Sequence, residues 1–306
     1  MKITKTKLVQ FESTDNLFLP GLLFEPSKKT KRVAINLHGN GNSSVFYSFN
    51  RTNILARELN KQRIAFLAFN NRGANYIKKL KMDKNGGEEE IKLGTAYELI
   101  KDCIRDVDGA IKFLEELGYR EFYLIGYSTG ANKICVYNFY KPMNKVSKYV
   151  LLGGGDDTGI FHNLVGGTKK FKKYLEQAKE QIDGGNGRKL IPKYIADYII
   201  SYQSFYDTCN PDGDYNIFPF NECINNLKLS KKPMFKEYKT IKKPTLVVYG
   251  ENDEYCFGDV RRMVDILKKE APNKKLFDFR IIEGADHGFD GCEEELSQIV
   301  AEWLSG

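Results

Sequence analysis

What most constrains the fold of this chain is a rhythm of short apolar runs alternating with longer stretches whose apolar residues recur at helical spacing. Such alternation predicts an α/β protein: a mainly parallel, twisted sheet with helices on both faces. Lys7 to Glu12 and Asn16 to Phe24, joined by Ser13-Thr14-Asp15, read as an opening hairpin. The alternation then begins with a strand, Arg32 to Leu37, a helix, Val45 to Leu59, and a strand, Arg63 to Phe69. After a loop holding Asn70-Asn71-Arg72-Gly73-Ala74, Asp102 to Leu117 reads as a helix with Ile104, Val107, Ile111 and Leu114 inward, stopped by Gly118. Glu121 to Ile125 and Lys148 to Leu152 are further strands.

After Gly153-Gly154-Gly155 the rhythm stops, and it resumes with a strand at Thr245 to Tyr249, a helix at Val260 to Lys269, a strand at Leu276 to Ile282 and a closing helix. An interruption this long is rarely bare loop. Ile191, Ile195, Tyr198, Ile199, Tyr202, Phe205 and Tyr206 fall on one helical stripe, with Pro192 in a first-turn position. The expected organisation is therefore a core from 1–155 and 244–306, with 156–243 inserted as a mostly helical cap over the carboxyl edge of the sheet. The cap's aromatic stripe serves packing, and the same face can roof a pocket.

Composition narrows the class. With 306 residues, 42% hydrophobic and 28% charged, the chain can bury one large core or a core plus cap. Met1 to Lys7 has no apolar signal region and no stretch reaches the roughly 18 apolar residues of a membrane span, so a cytoplasmic, membrane-free protein is expected. The six cysteines show no CxxC or other ligand spacing, which points to reduced thiols rather than zinc or disulfides. The net charge of +7 comes mostly from lysines at 169–193 and 228–243. Without a reading-helix, RNP or zinc-finger pattern these read as solvated surface, not a nucleic-acid site, with some preference for anionic ligands left open. Oligomeric state is not legible.

Gly126-Tyr127-Ser128-Thr129-Gly130 follows an apolar run and opens a helix. Strand, sharp turn with serine at its apex, then helix is the geometry of a nucleophile elbow, whose strained serine projects its hydroxyl from the sheet edge. The flanking glycines leave room for the turn. A serine hydroxyl needs a base within reach, and the chain has three histidines. His38 belongs to a turn whose amides are its asset, and His162 lies in the cap's first loop. His287, in Gly284-Ala285-Asp286-His287-Gly288 after the last strand, is at the same sheet edge as the serine. Its orienting carboxylate is read as Asp253, which gives the order Ser, Asp, His; Glu251, Glu254, Asp156 and Asp157 compete for that role. The oxyanion hole is expected from the amides of Thr129 and Asn40, the latter in His38-Gly39-Asn40-Gly41-Asn42-Ser43. That loop matches neither GxGxxG nor a phosphate-loop ending.

These motifs resemble the α/β-hydrolase superfamily across nearly the whole chain, on residues 38–43, 70–73, 126–130, 250–253 and 284–287. More narrowly, residues 70–73, Gly94-Thr95-Ala96-Tyr97-Glu98 and residues 102–108 are similar to the DUF1749 group and its bacterial relatives, which include fungal siderophore esterases. The resemblance implies Ser128 as nucleophile, His287 as general base and acid, Asp253 as its partner, and no metal or organic cofactor. The reading that follows is a serine hydrolase that cleaves a small-molecule carboxylic ester through an acyl-enzyme. Thioester or amide cleavage and acyl transfer use the same parts. A non-catalytic binding protein on the same fold is the reading from another class, and retention of all three catalytic residue types argues against it.

Other residues carry two readings each. Arg72 either braces loops, the favoured reading, or binds a substrate carboxylate. Glu98 and Asp102 are helix-terminal acids or a second acid site. Cys256 and Cys292, close in sequence to Asp253 and His287, are incidental thiols or a source of thiol sensitivity. Cys292 is expected in the first turn of a helix capped by Asp290 with Glu293.

Overall fold

The computed structural model describes residues 5–306. Met1 to Thr4, within the amino-terminal stretch read above for a signal, lie outside the described residues.

The opening hairpin forms as β1 (Thr6–Glu12) and β2 (Phe18–Phe24), paired antiparallel from Glu12 with Phe18 to Thr6 with Phe24. Ser13 closes the turn, accepting the Leu17 amide at 3.0 Å and donating to Asp15 at 2.6 Å. Then follow β3 (Arg32–Leu37), α1 (Phe49–Lys61) and β4 (Ala65–Phe69). Helix α1 starts later than its periodicity predicts because the Val45 amide is held by the Asn70 side chain at 2.9 Å. Strand β4 starts two residues late because Arg63, with φ of 58°, is still turning out of α1.

Between β4 and the next helix stands a two-stranded antiparallel hairpin absent from the sequence reading, β5 (Lys78–Lys84) and β6 (Gly87–Leu93). The core continues with α2 (Cys103–Glu116), β7 (Glu121–Tyr127), α3 (Thr129–Tyr140) and β8 (Val146–Leu152). Residues 156–243 hold α4 (Asp157–Leu164), α5 (Thr168–Asp183), α6 (Tyr202–Cys209) and α7 (Phe220–Asn225), with no strand of the main sheet. The chain ends with β9 (Thr245–Gly250), α8 (Val260–Glu270), β10 (Phe277–Ile282) and α9 (Glu293–Ser305).

The eight-stranded sheet runs β1-β2-β4-β3-β7-β8-β9-β10, and every pair from β4 to β10 is parallel. Strand residues alternate between two cores, as period two requires. Val33, Ile35 and Leu37 pack with α2, α3 and α8, whereas Ala34, Tyr123, Ile125 and Val150 pack with α1 and α9. This is the α/β-hydrolase architecture that the motifs imply. Parallel strands put all their carboxyl ends on one edge, and a switch of winding direction at β3 opens a crevice there.

The long helix expected over the stripe from Ile191 to Tyr206 is not formed. Only α6 is helical, and residues 191–201 fold back on themselves: the Ile191 amide donates to the Ile200 carbonyl at 2.9 Å, beside a bridge from Leu190 to Ser201. Pro192 has no N–H for a helical ladder, and Ser201 starts the helix afresh by accepting the Ser204 amide at 3.1 Å. The stripe still buries Ile191, Ile195, Tyr202 and Phe205 in a third apolar cluster with Phe161 and Phe171 of α4 and α5. Tyr215, Ile217, Phe218, Phe220, Phe235 and Tyr238 instead join the core under the sheet. So residues 156–209 carry a core of their own, and the following stretch returns to the main one. No helix among the described residues is long and apolar enough to cross a membrane.

Candidate active site

Ser128 stands between β7 and α3 with φ 54° and ψ −126°, a backbone conformation costly for any residue with a Cβ. The surroundings over-determine it. A Cβ on Gly126 would lie 2.3 Å from the Gly130 carbonyl oxygen, and one on Gly130 would lie 2.0 Å from that of Leu37, so only glycine lets α3 start this close to β3. The Ser128 amide donates to Leu152 at 2.8 Å, tying the elbow to the end of β8.

His287 and Asp253 arrive on the loops after β10 and β9. Backbone bonds knit these loops together, Glu251 to Ile282 at 2.9 Å and Asn252 to Ala285 at 2.8 Å. The His287 Nδ1 then lies 2.9 Å from Asp253 Oδ2, with the carboxylate side chain 1% and the imidazole 12% exposed. Asp253 also accepts the Tyr255 amide at 3.0 Å, which fixes its orientation. Three of its four competitors are engaged elsewhere. Glu251 accepts from Gly284 and Arg261, Glu254 accepts the His287 amide, and Asp156 caps α4 through the Gly159 amide and takes that of Asn221. Burial raises Asp156 to about 7 despite those two bonds.

Ser128 and His287 line one cavity of about 270 Å³, shared with Asn40, Thr129, Asp157 and an apolar wall of Ile160, Phe161 and Leu164. No direct hydrogen bond joins Ser128 Oγ to the imidazole; in unliganded hydrolytic sites this bond is often long. Thr129, first in α3, has no carbonyl four residues back for its amide. Asn40 is held by its side chain, which donates to Tyr215 at 2.7 Å, and by its carbonyl, which accepts from Ser43 at 2.8 Å. Neither amide is used in a backbone loop or turn bond among the described residues.

The other histidines sit apart from this chemistry. Burial pushes His38 down to about 3, so its ring is neutral, with Nδ1 2.8 Å from the Gly39 carbonyl. His162 bonds Thr168 at 2.9 Å and Asn163 at 3.1 Å within its own segment. Arg72 is a brace: it takes Asp106 at 2.7 and 2.9 Å and Asp15 at 2.7 and 3.0 Å. Burial opposes its charge, but those carboxylates outweigh the effect and hold it above its ordinary pKa. Glu98 does not open on the mouth; it is buried against Lys133 at 2.7 Å. Asp102 pairs with Arg105 at 3.0 Å. Burial pushes the Cys256 thiol up, away from reactivity. Asp290 does not cap α9: the cap position is Cys292 itself, without a side-chain bond, because the Asp290 amide is turned back to Asp286. Among the described residues no group of three or more His, Cys, Asp or Glu is placed to hold a metal ion.

Two contributors escaped the sequence reading, and a third, Asp157, was named there only as a competing carboxylate. Tyr127, the middle residue of the first half of the elbow motif, donates its hydroxyl to the His287 carbonyl and separates the cavity from a second one of about 170 Å³ between α1 and α9. The Tyr255 ring packs edge-on against the imidazole at 4.7 Å. Asp157 faces the cavity, where burial raises it to about 6. The alternation of β7 would have marked Tyr127; nothing local marks Tyr255 or turns Asp157 toward the cavity.

Comparison with known proteins agrees with the fold. The structure is similar to Est1E from Butyrivibrio proteoclasticus with bound ferulic acid, at 14% identity and a TM-score of 0.63, over 97% of this chain and 98% of that one. It is similar to the esterase Pf2001 from Pyrococcus furiosus, at 18% identity and 0.57, over 98% and 92%. The carboxylesterase CesB from Bacillus subtilis follows at 17% identity and 0.53, over 98% and 92%. No curated protein matches the sequence. The family model described as "Protein of unknown function (DUF1749)" matches residues 95–305, more than half of the chain and inclusive of Ser128, Asp253 and His287. An α/β-hydrolase fold with its elbow, histidine and acid inside that match makes this chain a member of the DUF1749 family.

Proposed function

We propose that this protein is a serine hydrolase acting on a carboxylic ester of a small molecule. The observation that carries the reading is the His287 to Asp253 pair at 2.9 Å, with His287 on the wall of the cavity that also holds the strained Ser128. The similarity to the Pyrococcus furiosus esterase and the Bacillus subtilis carboxylesterase supports it.

The steps follow from what each group can do. Ser128 Oγ attacks the ester carbonyl while His287 Nε2 takes its proton, and Asp253 compensates the imidazolium and fixes the tautomer that leaves Nε2 as acceptor. Negative charge grows on the carbonyl oxygen, where the amides of Asn40 and Thr129 and the amino end of α3 receive it. His287 returns the proton to the leaving alcohol, an acyl group stays on Ser128, and water activated by His287 releases the acid. Residues 156–243 act as the cap that decides which acyl group reaches Ser128, over a core of 1–155 and 244–306. The three cap residues Ile160, Phe161 and Leu164 on the cavity wall support that division. A cytoplasmic setting accords with six unpaired cysteines.

The test is hydrolysis of p-nitrophenyl esters of graded acyl length by wild type and by Ser128→Ala. Turnover by wild type that is lost in the variant supports the reading. A folded wild type that cleaves none of them favours the non-catalytic binding protein.

A further inference from the structure

The chain is basic, at +7, yet the cavity over Ser128 is not. No lysine or arginine lines it, and its one carboxylate belongs to Asp157. The cation that most influences Asp157 beyond His287 is Lys133, whose ammonium is sealed against Glu98 at 2.7 Å. The only side-chain partner of the Asp157 carboxylate among the described residues is Thr129 Oγ1, at a long 3.4 Å. Around it stand the aromatic rings of Phe161, Tyr198 and Tyr255, the last two 37% and 46% exposed although they belong to the cavity wall.

A carboxylate without a lysine or arginine counter-ion, set among aromatic side chains in a cavity whose one basic group is the catalytic imidazole, is complementary to positive charge. Carboxylate and ring quadrupole both attract an alkylammonium, and aromatic surroundings suit one that is weakly hydrated. The same site disfavours an anionic acyl group and repels the carboxylate that ester hydrolysis produces. At about 270 Å³ the cavity has room for a small ester with such a head, since a cavity of about 150 Å³ already takes a benzene ring.

We infer that the substrate is an ester carrying an ammonium nitrogen, held by Asp157 as counter-ion beside Tyr198 and Tyr255; this rests on the ester-hydrolase reading above. It reverses the preference for anionic ligands that net charge alone suggests. Asp157 is here a specificity-determining residue and takes no part in bond making.

The experiment compares kcat/KM for two matched pairs at about pH 8, where the carboxylate is ionised. One pair is acetylcholine and its uncharged isostere 3,3-dimethylbutyl acetate; the other is the p-nitrophenyl esters of 6-aminohexanoate and heptanoate. The expected result is a preference of about tenfold for the cationic member of at least one pair. Asp157→Asn should bring that ratio to within about twofold of unity, and Asp157→Glu should keep most of it. Independent of turnover and of any variant, choline should slow fluorophosphonate labelling of wild-type Ser128 while 3,3-dimethylbutanol at equal concentration does not. Hydrolysis of the neutral esters with no cationic preference, equal protection by the two alcohols, or a ratio unchanged in Asp157→Asn overturns the ammonium site and leaves the hydrolase reading standing. No hydrolysis of any ester together with no labelling of Ser128 overturns both.

Discussion

Two buried acid–base pairs in this molecule are similar in distance and opposite in use. His287 meets Asp253 at 2.9 Å, and Lys133 meets Glu98 at 2.7 Å. In both the acid is almost wholly buried, with the Asp253 side chain 1% and the Glu98 side chain 4% exposed. The bases differ. His287 keeps a second ring nitrogen without a hydrogen-bond partner among the described residues and stands on a cavity wall, while the Lys133 side chain is 0% exposed. Lys133 can only hold the chain together; His287 has a lone pair to offer a substrate. Burial of a pair is thus weak evidence for function, and an uncommitted atom beside a nucleophile is stronger evidence.

The contrast makes quantitative demands. Ser128→Ala should lower kcat by about 10⁴-fold or more, and Asp253→Asn by about 10³-fold, with melting points within about 2 °C of wild type. Steady-state kinetics beside calorimetry checks both. Lys133→Met should do the reverse: urea unfolding should show a loss of about 3–5 kcal/mol from the uncompensated Glu98, while the folded fraction keeps kcat within about threefold. Adding Glu98→Gln should recover most of that stability. If Lys133→Met abolished turnover at unchanged stability, the two pairs would not differ as described. Tyr127→Phe, which removes the hydroxyl bonded to the His287 carbonyl, should cost about tenfold in kcat with little change in KM. Least affected should be Lys81→Ala on the exposed hairpin, whose bond to Glu88 is solvent-screened; its urea unfolding midpoint should coincide with that of wild type.

Much of the architecture was legible because parallel strands buried on both faces must be apolar throughout. Residues 63–69 and 245–249 read as strands for that reason, and β4 and β9, which form there, are wholly buried. The hairpin β5–β6 was overlooked because its strands are charged and mostly exposed, held by cross-strand pairs such as Lys79 with Glu90. Its signal was nevertheless present in Asn85-Gly86, both at positive φ, the turn that matches strand twist. Residues 191–201 misled in the opposite direction, since a periodic stripe says which side chains are buried and not that the backbone between them is helical. At the candidate site, the placement of Ser128 and His287 at one edge of the sheet was legible from turn chemistry and chain order. The place of Asp157 and Tyr255 on the cavity wall was not, because neighbours across loops come together only through the knitting of β8, β9 and β10 ends.

The account stands or falls on whether Ser128 is a nucleophile. Intact-mass and peptide mapping after treatment of the folded protein with a fluorophosphonate should show one adduct, on Ser128, absent from Ser128→Ala and formed far more slowly in His287→Ala. A folded wild type that takes up no adduct, or takes it at another residue, would contradict it.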